Sequence, residues 1–182
     1  AKLGAEAPAA GPSAPSFATS WTMKGQMPAG RWRNSQLSGL ACRVAVTFGS
    51  SAPGGAAARL VLRGRPDGSP YTISAVSIAL RKDAAGPDAS GDLVPVTFGG
   101  GGTVEVREAG ATSDAIPFPT EAGGAYMITF VVEESSIYTS GGDASTKAWF
   151  TANDGAGEAE WSERDIRSQY PYLYVVDQID TA

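Results

Sequence analysis

From Trp21 onward the chain is a succession of short β-patterned runs, each closed by Gly, Pro, Asp or Ser, with almost no helical period. That punctuation constrains the fold more than any other feature. Strands so short bury their apolar positions only by pairing sideways and stacking on a second sheet. The run Arg43–Phe48 alternates within Leu37–Phe48, and Arg59–Arg65 follows a Gly/Ala/Pro loop. Pro66-Asp67-Gly68-Ser69-Pro70 is a turn, since proline pre-sets φ and glycine permits a positive one. Tyr71–Leu80 alternates imperfectly. Ile73, Ala75 and the pair Val76/Ile78 share it with Ser74 and Ser77, and the clean period-two set is Val76, Ile78 and Leu80.

Further strands are expected at Leu93–Phe98, Thr103–Arg107, Tyr126–Val132, Lys147–Thr151 and Leu173–Ile179, with Ile116–Pro119 extended. Pro95 confines its strand to an edge or a bulge, and the glycines of Gly99–Gly102 make a tight turn. Tyr126–Val132, a continuous apolar run, is the strongest candidate for a buried strand. One turn or two of helix is expected at Ser162–Ser168, with Ser162 as N-cap. The pattern predicts an all-β, jelly-roll-like β-sandwich over residues 21–182.

Residues 1–20 differ in kind. Alanine, proline and serine dominate, the only charges are Lys2 and Glu6, and Pro8, Pro12 and Pro15 break any helix. Such a segment does not fold alone and reads as an extended N-terminal arm that lies along another surface. Ala1 fits loss of an initiator methionine and loss of a signal segment equally well.

The chain has no histidine and a single cysteine, Cys42. A Ser-His-Asp or Cys-His arrangement cannot form within it, nor can a histidine metal site or a four-ligand zinc site. Cys42, inside Leu40–Val44, reads as a small buried apolar residue. No run reaches the length of a membrane helix. Residues 1–104 carry ten basic and five acidic side chains, and residues 105–182 four and fourteen. That balance speaks against nucleic acid as partner of the later half. Arg31, Arg33, Arg43, Arg59, Arg63 and Arg65 form a basic cluster, read either as strand positions facing water or as a basic face for an acidic face of a second copy.

The runs Tyr71–Leu80 (YTISAVSIAL), Val94–Gly102 (VPVTFGGGG), Thr103–Val106 and Ser113–Ile116 (SDAI) carry a resemblance. Together they resemble the N-terminal β-sandwich accessory domain that precedes some bacterial SGNH/GDSL hydrolases, over roughly residues 36–132. The catalytic domain of that family needs a Gly-Asp-Ser block and a late Asp-x-x-His. Here Gly91-Asp92-Leu93 and Gly142-Asp143-Ala144 lack the serine, so no catalytic residue carries over. What the resemblance implies is an accessory sandwich standing alone, of a type associated with surface or carbohydrate attachment.

Glu158, Glu160 and Glu163 surround Trp161, an arrangement a glycosidase could use, but they read more simply as a solvated acidic loop. Asp143, Asn153, Asp154, Glu158 and Glu160 could offer oxygens to calcium but lack EF-hand spacing, so neither metal nor cofactor is expected. Trp149 reads as half-buried core. Trp32, Trp161, Tyr170 and Tyr172 are the candidate ligand-contacting aromatics, with Trp32 and Trp161 expected to be exposed. The expectation is a non-enzymatic structural or decorating subunit of a larger assembly, on a phage-like virion or another extracellular surface. It would associate through the arm with its own kind or with other subunits. The alternative is a carbohydrate-binding or host-surface adhesion module.

Overall fold

The computed structural model describes residues 14–23, 32–36, 38–65, 67–133, 136–140, 148–161, 168–170, 172–173 and 175–182. Their strands, in chain order, are β1 (Ala18–Thr22), β2 (Trp32–Gln36), β3 (Leu40–Thr47), β4 (Ala58–Leu62), β5 (Tyr71–Arg81), β6 (Ala89–Pro95) and β7 (Thr103–Val106). They continue with β8 (Ala111–Thr112), β9 (Ala125–Val132), β10 (Ser136–Ser140), β11 (Ala148–Ala152), β12 (Ser168–Tyr170), β13 (Tyr172–Leu173) and β14 (Val176–Thr181). A single 3-10 turn, Asn153–Gly157, follows β11.

The chain is all-β, and two antiparallel sheets pack face to face as a β-sandwich. The larger sheet runs β12-β11-β3-β9-β5-β6, with β7 also paired to β5, and the smaller runs β1-β14-β4-β8. A further ladder, β13-β10-β2, continues the β3/β9 pairing. Leu40 stands opposite Val132 in the one ladder and Gln36 opposite Ser136 in the other.

Side chains alternate across a strand, and in the larger sheet both faces are covered. One face carries Cys42, Val44 and Val46 of β3 with Tyr126, Ile128, Phe130 and Val132 of β9, packed on Leu60, Leu62 and Ile179 of the smaller sheet. The other face carries Ala41, Ala45, Met127, Val131 and Trp149, closed over by Ala156 and Trp161. Burial on both faces is why Tyr126–Val132 is apolar throughout rather than alternating. Phe130 and Phe150 are wholly enclosed, each stabilising the fold by about 1.5–3 kcal/mol. Cys42 is buried as expected, and burial pushes its thiol pKa well up.

The smaller sheet begins earlier than the sequence suggests. β1 takes in Ala18, Thr19 and Ser20, the last residues assigned to the arm. Ser20 Oγ donates to the Pro53 carbonyl at 2.7 Å and meets Thr181 Oγ1 at 2.6 Å, while Thr19 Oγ1 donates to Asp180 Oδ1 at 3.0 Å. Arg59 lies over the Phe17 ring at 4.4 Å. Residues 1–13 of the arm lie outside the described residues, as does most of the helical turn expected at Ser162–Ser168, whose last residue opens β12.

Two segments singled out by the resemblance meet. Gly99 and Gly100 adopt φ of 58° and 80°, which glycine tolerates without penalty. Their N–H groups donate to Asp114 at 3.0 and 2.8 Å, and Thr97 Oγ1 donates to it at 2.6 Å. The Thr97 hydroxyl foremost, then the Gly100 and Gly99 amides, hold the Asp114 carboxyl below its usual range. This turn chemistry is structural and leaves no reactive group free.

The imperfect alternation of β5 marks a bulge. Ser74 faces Val131 and Ser77 faces Thr129, so β5 carries one extra residue there. The bulge turns both Ile73 and Ile78 toward the main core and places Ala75 at φ 50°. An alanine in that conformation is strained by roughly 1 kcal/mol. Ala75→Gly is therefore expected to raise stability by about 0.5 kcal/mol in urea unfolding, where glycine within a strand ordinarily lowers it.

Tyr71 Oη donates to the Arg63 carbonyl at 2.5 Å. Burial above all raises its pKa over the usual 10.0, against the pull of Arg65 and Arg63 and with the help of Asp177. A folded pKa above the unfolded one contributes stability that is whole below the unfolded value and fades as pH climbs past it. The urea midpoint is expected to fall between about pH 9 and about pH 11 in the native chain, and to fall less in Tyr71→Phe.

Candidate functional site

The second, smaller core is organised by a cation. Arg43 lies on the outer face of β3 and is wholly buried, contrary to the expectation that the arginines of the basic cluster face water. Its Nε–H donates to Thr129 Oγ1 at 2.9 Å, Nη1 to the Pro87 and Ala159 carbonyls at 3.0 Å each, and Nη2 to the Glu158 carbonyl at 2.6 Å. The guanidinium stacks 4.2 Å from the centre of the Trp161 ring. Burial lowers the Arg43 pKa to about 10, Asp88 acting in the opposite sense, so the group stays charged at neutral pH. Carbonyl dipoles and an indole face replace its water, and desolvated cation–π stacking of this kind contributes about 2 kcal/mol.

Trp161 is thus buried, 6% exposed, and does not offer a free ring to a ligand. Its Nε1–H donates to the Gly155 carbonyl at 2.8 Å and its backbone N–H to Asp88 Oδ1 at 2.9 Å. The reason for the difference lies in β3: a cation enclosed there draws the indole over itself. Trp149 is also buried, rather than half buried, beside Arg43 in the sheet.

The other named aromatics sit in strands described by their backbone register. Trp32 and Tyr172 both stand opposite Ser140, on the two sides of β10, whereas Tyr170 stands opposite Ala148. The register therefore brings Trp32 and Tyr172 to one row and leaves Tyr170 and Trp161 out of it. Glu158 and Glu160 are exposed, and Glu160 pairs with Lys82. Glu163 and Asp143 lie outside the described residues. Among the described residues no three metal-ligating side chains converge.

The basic cluster is partly answered within the chain. Arg59 on β4 pairs with Asp180 on β14 at 3.3 Å, and Arg63 pairs with Asp177. The charge difference between the two parts of the chain is to that extent an intramolecular pairing of two neighbouring strands.

A groove that the sequence reading did not single out opens beside this core. Along one row of the larger sheet stand Trp149, Arg43, Thr129, Ser77 and Pro95. At the Ser77 end, the β5 bulge, the edge strand β6 and the 3-10 turn leave an open, mainly apolar cavity of about 270 Å³. Val76 and Ser77 of β5, Leu93 and Pro95 of β6, and Ala156 and Gly157 of the turn line it. β6 slips its own register against β5 between Ile78 and Leu80, so both strands are irregular here. Ser77 is 7% exposed and its hydroxyl has no hydrogen-bond partner. A buried hydroxyl without a partner is costly enough to call for a reason. The signal in the sequence was the broken alternation at Ala75-Val76.

No protein-family model matches this chain, and no curated protein matches it in sequence.

Arg43 is expected to be the side chain most costly to remove outside the main core. Arg43→Ala would strand the carbonyls of Pro87, Glu158 and Ala159 and lower stability by roughly 3 kcal/mol in urea unfolding. Arg43→Lys is expected to recover little of it, because an ammonium cannot reproduce the planar fork or the stack.

Proposed function

We propose that this chain is a non-enzymatic structural subunit of a larger assembly, a β-sandwich that decorates a surface of the phage or phage-like virion kind and contacts its neighbours through the residues before Ala14. The observation that carries this reading is the root of the arm. Phe17 is held under Arg59, Thr19 and Ser20 are hydrogen-bonded to Asp180, Pro53 and Thr181, and Ala18 pairs with Thr181 as part of an edge strand. A segment of Ala/Pro-rich chain is thereby delivered from a fixed point on the sandwich. Segments of this composition contribute to contacts between subunits without a fold of their own.

A second reading, attachment to a glycan, is favoured by the row that Trp32 and Tyr172 share across β10 and by the accessory-domain resemblance. Sugars stack their C–H faces on aromatic rings. Loss of glycan-array binding in Trp32→Ala and Tyr172→Ala, at unchanged stability, would favour it.

The primary test is solution mass by light scattering, with and without residues 1–13. The cut must fall before Ala14, because a longer deletion would remove part of β1 and confuse loss of the arm with loss of the edge strand. The intact chain is expected to associate and the shortened one to be monomeric with the same unfolding midpoint. Equal masses would sink the assembly reading.

A further inference from the structure

Building on the assembly reading above, we infer that the groove between β5, β6 and the 3-10 turn receives the N-terminal arm of a second copy, with Leu3 as its anchor. The groove is open and mainly apolar, and its cavity of about 270 Å³ has room for one branched aliphatic side chain and a neighbouring alanine. Residues 1–13 contain one large apolar side chain, Leu3, set among Ala and Gly. One pocket thus meets one anchor.

Charge agrees with this pairing. Asp92 precedes Leu93 of the groove, Glu158 follows Gly157, and both are exposed. Lys2, next to Leu3, is the only basic residue of the arm. A leucine seated beside Gly157 brings that lysine toward the stretch that carries the exposed Glu158, which favours this register of the arm over its reverse. The Ser77 hydroxyl, buried without a partner, supplies a third element. The arm's main chain brings carbonyl oxygens, and one laid along the groove floor gives Ser77 the acceptor it lacks. A second copy is the occupant that the proposed assembly requires, since each chain then offers one arm and one groove. Such a contact closes as a two-fold pair where two arms exchange reciprocally, and builds a ring or filament where they do not.

Gly157 provides a blocking variant that leaves the fold in place. A Cβ added there meets no atom within 4 Å, and the residue has no left-handed φ to strain a substitution. In full-length chains, Gly157→Leu and Leu3→Asp are each expected to weaken association by at least about tenfold at unchanged unfolding midpoint, as read by light scattering over a dilution series. A trap then reads the contact directly. Full-length Leu3→Cys chains mixed with Gly157→Cys chains are expected to form a mixed disulfide under mild oxidation, and Leu3→Cys with Glu108→Cys to form none. Cys42 is buried and stays out of the exchange.

If removal of residues 1–13 abolishes association while Gly157→Leu does not and no mixed disulfide forms, the arm docks elsewhere. This inference then falls and the assembly reading stands. A disulfide that forms only within the doubly substituted chain, independent of concentration, puts the arm on its own groove and overturns the second copy as partner. Association that survives removal of residues 1–13 overturns both.

Discussion

The β3/β9 ladder is buried on both faces, and most of what distinguishes this sandwich follows from that constraint. One face is covered in the ordinary way, by the smaller sheet. Among the described residues, the other is closed by the short stretch that follows β11, with Ala156 and Trp161 packed on Ala41, Ala45, Met127, Val131 and Trp149. A 3-10 turn and a loop have little backbone pairing of their own to hold them against a sheet. Arg43 supplies the attachment, reaching from the sheet to the carbonyls of two loops while Trp161 lies across its plane. A leucine in its place would fill the space without tying down those carbonyls.

The irregularity of β5 is coupled to that arrangement. The extra residue between Ser74 and Ser77 keeps Ile73 and Ile78 on the main core, and Ala75 takes a left-handed φ there. An unbulged β5 would send one of those isoleucines to the outer face. The groove lies at this bulge, between the edge strand and the turn that caps the second core. Fold and groove therefore share one cause.

Electrostatics bears on assembly in a way composition alone misstates. The excess of basic residues early in the chain and of acidic ones late in it suggests two faces made to meet between copies. Pairing of β4 with β14 instead sets Arg59 beside Asp180 and Arg63 beside Asp177 within one chain. These charges are therefore largely spent within the chain rather than left to face a neighbour.

Much of the sandwich was legible in the amino-acid sequence because alternation, turn glycines and prolines are local signals. β3, β4, β5, β7, β9 and β11 stand where those signals put them, and Pro95 closes the edge strand β6. β1, β2, β8, β10 and β12 were missed. Ala18–Thr22 carries no alternation, and it is a strand because β14, at the far end of the chain, offers it a ladder. The candidate site was less legible still. Its groove joins residues 76–77, 93–95 and 156–157, which no spacing rule connects, and Trp161 reads as exposed until the buried charge of Arg43 is known to lie beneath it. The sequence by itself determined which segments extend, where they turn, and that no histidine chemistry occurs here. Tertiary structure alone decided which faces are covered, which charges are enclosed, and where a cavity remains, because burial depends on neighbours that distant parts of the chain supply.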